Sequence, residues 1–132
     1  MYKKYKAFLF TENPDKLVKF YRDILGFKVT NHLTLPRDNG YALEIAPGYE
    51  IWLAQHSEVY GKSKETYRHM LNIYVDGIEE LYKTICVRAE KLLPVETIQE
   101  PICMDQWNPV ETRWVFVIKD TDGNALQFMG ER

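Results

Sequence analysis

Seven residues carry the chemistry this chain can offer a small molecule: Lys6, Phe8, Trp52, Met70, Asn72, Tyr74 and Gln127. Phe8, Trp52 and Tyr74 supply flat rings for stacking, Met70 adds a soft apolar surface, and Lys6 is a cation. Asn72 and Gln127 are amides that both donate and accept hydrogen bonds. They belong together because of strand alternation, in which every second side chain points the same way. Ala7, Leu9, Ile51, Leu53, Leu71, Ile73, Val75, Leu126 and Phe128 form one uniformly apolar set suited to a core. The opposite set holds the seven residues with Phe10, Glu50, Ala54 and Met129. It is mixed and aromatic, as expected of a sheet wrapped around a pocket. An ordinary solvated face is the plainer alternative, but Phe8, Trp52, Met70 and Tyr74 would be costly to expose together.

Residues suited to nucleophilic or acid–base chemistry are scattered. Cys86 falls in an expected helix and Cys103 in an expected loop, neither with a histidine at a suggestive spacing. His32 and His56 lie near strand ends, and His69 reads as a strand-edge residue. Glu44 and Glu50 would act as acids or bases only if buried, and strand carboxylates are usually at the surface.

The elements that must position these residues repeat. Asn13 is a helix cap, Pro14 fits the first helical position, and Leu17, Phe20, Tyr21, Ile24 and Leu25 form one apolar stripe. Gly26 ends that helix, expected over 14–25. Strands are expected at 5–11, 27–35, 41–46 and 50–55, with turns at Asn39-Gly40 and Pro47-Gly48. After a polar linker the pattern restarts. A strand at 69–75 leads to a helix over about 78–90, with Asp76 and Glu79 at capping-box spacing and Ile78, Leu81, Tyr82, Ile85 and Ala89 facing inward. Strands follow at 94–99, 113–119 and 124–129, with a long loop from Glu100 to Pro109 that holds Trp107 and a turn at Asp122-Gly123. The two caps are 63 residues apart, so the order β-α-β-β-β occurs twice. The expected class is α+β: one domain over 1–132, with module one at about 1–56, a linker at 57–68 and module two at 69–132.

Nine Tyr, six Phe and three Trp are many for 132 residues, which favours a ligand site or an interface. Net charge is −2 and no basic patch extends beyond Lys3, Lys4 and Lys6, so nucleic-acid binding is not expected. No apolar run is long enough to cross a membrane, and the MYKKYK start holds no signal-peptide core. Two unpatterned cysteines then suggest reduced thiols in the cytoplasm.

Two stretches are similar to those of a known superfamily. KFYRDILGFKV resembles the FY-x-x-x-LGF signature of the vicinal oxygen chelate proteins, among them glyoxalase I, bleomycin-resistance proteins, extradiol dioxygenases and fosfomycin-resistance enzymes. FVIKDTDGNALQFM resembles their closing D-P-D-G-N hairpin, with Thr121 where proline is usual. The resemblance implies cupped sheets with helices outside, and it hosts many chemistries. Metal-using members offer one His or Glu from the first and last strand of each module. Here those positions fall at Lys6, Trp52, Met70 and Gln127, a poor set for a divalent metal. The closing hairpin also suggests that Arg113, Val115 and Val117 face the cup. The expectation is therefore a metal-free, cofactor-free module that binds a partly aromatic or planar molecule. Lys6 and Arg113 favour an anionic or neutral ligand over a cationic one. The alternative is a lyase or dioxygenase-like enzyme, with Lys6 as a base or with a metal site in another register. Related two-module proteins commonly pair, so a homodimer is expected.

Overall fold

Residues 7–11 alternate as a strand should, and they form β1 (Ala7–Thr11) in this computed structural model, which describes residues 1–104 and 113–132. Asn13 caps the next element through its Oδ1, which accepts the Lys16 N–H at 3.2 Å. Helix α1 (Pro14–Lys19) then passes into a π-helical turn, Phe20–Ile24, instead of running on as a regular α-helix. The Leu25 N–H reaches back five residues to the Phe20 carbonyl at 3.2 Å. The widened turn lets adjacent Phe20 and Tyr21 both be fully buried, their rings edge to face at 5.1 Å. Gly26, at φ 77°, closes the element, its N–H bonded to the Arg22 carbonyl at 3.1 Å.

Strands β2 (Lys28–Leu35), β3 (Asp38–Ala46) and β4 (Tyr49–Gln55) complete the first mixed sheet, in the order β1-β4-β3-β2. Its β1–β4 pairing is parallel and the other two are antiparallel. Pro47-Gly48 turns the chain as expected, with Gly48 at φ 82°. Asn39-Gly40 does not. The β2–β3 turn is Pro36-Arg37, closed by the Leu35–Asp38 pair, and Asn39 and Gly40 belong to β3. Gly40 is required for a different reason. A Cβ there would stand 2.8 Å from the Leu53 carbonyl oxygen, so the glycine permits close strand approach.

The second mixed sheet has the order β5-β8-β7-β6, from β5 (Leu71–Tyr74), β6 (Thr97–Cys103), β7 (Trp114–Lys119) and β8 (Ala125–Gly130). Helix α2 (Ile78–Lys91) packs on it through buried Ile78 and Ile85. Asp76 is not its cap. Gly77 is, in the left-handed region at φ 77° with no side-chain bond, and the Ile78 N–H is satisfied by the Glu131 carbonyl at 3.0 Å. Strand β6 extends to Cys103, where a loop was expected from Glu100. Glu100 and Pro101 fit because β6 is an edge strand whose register shifts between Gln99 and Ile102, so proline's missing N–H breaks no ladder. The closing turn is held by Asp120, whose Oδ1 accepts the N–H groups of Asp122 and Asn124 at 2.9 and 3.0 Å. Trp107 lies outside the described residues.

The fold is thus α+β with β-α-β-β-β order in each half. The chain divides into two compact units, Met1–Gly61 and Lys62–Arg132, a division inside the stretch read as a linker. In each unit one sheet face meets the helix. Ile51 and Leu53 are buried with α1 residues in the first, and Phe116, Ile118, Leu126 and Phe128 with α2 residues in the second. The other face carries the candidate site.

Candidate functional site

In the first unit, the register sets Phe8 beside Trp52, Ala42 on the other side of Trp52, and Gly40 beside Ala54. All therefore lie on the face away from α1. Phe8 stacks on Phe10 at 5.8 Å between centroids and on Trp52 at 6.4 Å. The rings stand up around small residues, and this relief creates a concavity of about 270 Å³ lined chiefly by Phe8, Phe10, Leu33, Gly40, Trp52 and Ala54. Lys6, Asp38, Asn39 and Gln55 complete its lining. The volume is just under the roughly 300–1,000 Å³ of drug-sized pockets, so it suits a small ligand.

At one end of this wall Glu50 gathers three donors. Its Oε1 accepts from the Trp52 indole N–H at 2.9 Å and lies 3.4 Å from the Lys6 ammonium, while its Oε2 accepts from the Thr30 hydroxyl at 3.2 Å. Thr30 sits at the bulge between Val29 and Asn31, a device that re-aims a side chain, and its hydroxyl also reaches the Ala42 carbonyl at 3.3 Å. Desolvation alone would push the Glu50 carboxyl up, but the bonds from Thr30, Lys6 and Trp52 together hold it below the usual range. Lys6 also lies 5.0 Å from the Trp52 ring centroid, within cation–π reach.

In the second unit, Asn72 pairs with Gln127 and Tyr74 with Met129, which brings three of the expected residues and Met129 onto one face. The Gln127 amide donates to Asn72 Oδ1 at 3.2 Å, and the Asn72 amide points to the Met129 sulfur at 3.7 Å. The Arg113 guanidinium lies 5.9 Å from the Tyr74 ring centroid. Val115 and Val117 pair with Met129 and Gln127 and so share this face, as the closing hairpin suggested. Met70 precedes β5 and is exposed. Lys6, Phe8 and Trp52 are thus brought together in one unit, and Asn72, Tyr74, Arg113 and Gln127 in the other.

Sequence reasoning underrated Glu50, Thr30 and Gly40. Glu50 had a readable signal, two residues before Trp52 on the same face. Thr30 depends on a bulge and Gly40 on strand register, neither of which spacing reveals. The histidines have ordinary surroundings. His32 stacks on Tyr41 at 4.0 Å, and His56 meets Phe10 edge-on at 5.0 Å and accepts the Glu58 N–H.

Two β-α-β-β-β units, each a helix on a mixed sheet with the opposite face lined for contact, define a class of small duplicated-module proteins. The chain belongs to the Glyoxalase/Bleomycin resistance protein/Dioxygenase superfamily, whose family model matches residues 6–128. Among solved structures it is similar to UcmS2, at 19% identity and TM-score 0.73, with 98% of each chain covered. It is also similar to the hypothetical protein SA1046 from S. aureus, at 21% identity and TM-score 0.69, again with 98% of each chain covered. Against a glyoxalase I variant from Zea mays the identity is 16% and the TM-score 0.71, covering 94% of this chain and 43% of that one. The chain therefore spans less than half the length of that glyoxalase I. At these identities the likeness concerns the fold. No curated protein matches the chain in sequence.

The residues at the superfamily's metal positions do not fit a divalent ion. The Lys6 ammonium has no lone pair to give, and the Trp52 N–H is spent on Glu50. Met70 offers a soft thioether and Gln127 a single neutral amide oxygen, a weak ligand alone. Among the described residues, no three His, Cys, Asp or Glu side chains are grouped to hold a metal, and no helix is long and apolar enough to cross a membrane.

Proposed function

We propose that this chain is a metal-free small-molecule-binding protein whose first-unit concavity takes a partly aromatic or planar organic ligand. The observation that carries the reading is the concavity of about 270 Å³ walled by Phe8, Phe10 and Trp52 over Gly40 and Ala54. Such a wall stacks on a flat ligand and excludes water from the face it covers. On the second unit, Tyr74 with Arg113 and the Asn72–Gln127 amides offer further contacts of the same kind. Exposed Phe8 and Phe10 on the first unit, and Met70 and Tyr74 on the second, also suit a homodimer, in which a second copy would cover apolar side chains of either unit.

Titration with planar aromatic compounds should quench tryptophan fluorescence, and Trp52→Ala should weaken binding by about 1–3 kcal/mol. Mass spectrometry should return the bound compound unchanged. Conversion of a compound that binds in the concavity would replace this reading with the enzymatic one, a lyase or dioxygenase-like activity. Glu50 is poorly suited to be its base, because its oxygens already accept three donors and its carboxyl is held below the usual range. Stoichiometric Zn, Ni, Mn or Fe in purified protein would overturn the metal-free assignment. Sedimentation at about ten times a micromolar dissociation constant should show a dimer, and a monomer there would remove that part of the proposal.

A further inference from the structure

Lys6, the Trp52 indole and the Thr30 hydroxyl are three donors that converge on one point at the end of the aromatic wall. A cation and two neutral donors in that arrangement constitute a carboxylate site. The carboxylate that occupies it is the chain's own, on Glu50. We infer that Glu50 is a specificity determinant, an internal anion that fills this site and thereby makes the concavity select uncharged planar ligands over anionic ones. This rests on the reading of the concavity as a ligand site.

The charges support it. Lys6 and Asp38 are the charged residues of the lining, and Glu50, just outside it and 3.4 Å from the Lys6 ammonium, balances the lysine and leaves the Asp38 charge uncompensated by it. An incoming anion meets a Lys6 whose charge Glu50 already balances and a Trp52 N–H already given to Glu50, and it is repelled by Asp38 in the lining. A neutral ligand loses nothing by this arrangement, because stacking on the rings needs no free charge. Its polar atoms would meet the Gln55 amide and the Asp38 carboxylate, both in the lining, so ligand N–H or O–H donors are favoured. The geometry is built rather than incidental. A β-bulge aims Thr30, and strand alternation sets Glu50 and Trp52 on one face two residues apart.

Three probes of one shape test this: naphthalene-2-carboxamide, naphthalene-2-carboxylate and 2-naphthylmethylammonium, titrated by fluorescence at low salt. The full chain should bind the carboxamide at least tenfold more tightly than the carboxylate. Glu50→Gln removes the negative charge that balances Lys6, and the carboxylate should gain five- to tenfold while the carboxamide changes less than twofold. Lys6→Met leaves Glu50 uncompensated and should instead favour the ammonium probe by a similar factor. It serves as the second arm should circular dichroism show Glu50→Gln to be misfolded. Carboxylate binding by the unmodified chain as tight as carboxamide binding, or carboxylate affinity unmoved by Glu50→Gln in a folded protein, overturns the inference and leaves the concavity a ligand site. Failure of all three probes to bind the unmodified chain and both variants overturns the ligand-site reading and the inference with it.

Discussion

The two units repeat one hydrogen-bonded frame with different side chains on the free face. The parallel pair Phe8–Trp52 of the first corresponds to Asn72–Gln127 of the second, and α1 and α2 begin at equivalent places, Pro14 and Ile78. Following the register across, Gly40, Ala42 and Ala54 in the first unit stand where Val115, Val117 and Met129 stand in the second. Lys6 corresponds to Met70, and Glu50 to Ala125. The concavity therefore comes from two small residues, Gly40 and Ala54, beneath a ring wall, and the network at its end from a carboxylate, Glu50, where the other unit has Ala125. Backbone topology sets the free face, and the size of a few side chains gives the first unit its concavity.

The largest expected effect tests whether the frames are equally tight. In the second unit a Cβ on Gly130 would run into the Val75 carbonyl oxygen, a backbone clash that no side-chain rotation relieves. Its counterpart in the first unit is Gln55, an exposed residue. Gly130→Ala should cost about 3–5 kcal/mol in chemical denaturation, while Gln55→Ala stays within about 0.5 kcal/mol. Comparable losses would mean that the two crossings are built alike.

The next effect is on binding. Ala54→Met gives the first unit the residue that the second carries at Met129, and should fill the concavity. Affinity for naphthalene-2-carboxamide should fall at least tenfold. Stability should move by less than about 1 kcal/mol, since Ala54 is only half-buried and the change adds no buried polar group. Undiminished binding would show that the ligand sits elsewhere.

Much of this comparison could be read from the sequence. The helix stripes, the apolar strand sets and the doubled order were legible because each follows a simple period, 3.6 or 2, and each was found. What failed lies where a local signal has two physical causes. Asn39-Gly40 has the composition of a turn, but Gly40 is there for close approach to Leu53, and Pro36-Arg37 makes the turn. Asp76 has capping spacing, yet Gly77 takes the left-handed conformation and caps without a side chain. The site was legible as a face and not as a network. Lys6, Asn72 and Gln127 looked like groups awaiting a ligand's polar atoms. Lys6 is instead paired with Glu50, and Asn72 with Gln127, because parallel pairing sets residues of distant sequence side by side. Such partners cannot be inferred from spacing along one strand.

The smallest effect concerns the charge that distinguishes the units. Glu50 is held below the usual carboxylate range by its three donors, against the opposing push of desolvation. A group whose carboxyl is lowered on folding adds stability that is fully present above its unfolded value and is lost as pH falls through its folded value. The window therefore opens near pH 4.3, roughly the unfolded glutamate value, and extends downward from it. Asp23, lowered by its bond to Arg22, titrates in the same direction, so the whole protein's acid profile does not isolate Glu50. The difference between the unmodified chain and Glu50→Gln does. Denaturation midpoints of the two should differ by a constant amount from about pH 7 to pH 5, with the unmodified chain the more stable, and converge below about pH 4. The separation should be small, because the Lys6–Glu50 pair is about a third exposed and water screens it. It should shrink further in 1 M salt, where screening acts over about 3 Å. A separation that does not shrink at all as pH falls below about 4.3 would assign the effect of Glu50 to packing of its side chain against Trp52 rather than to its charge.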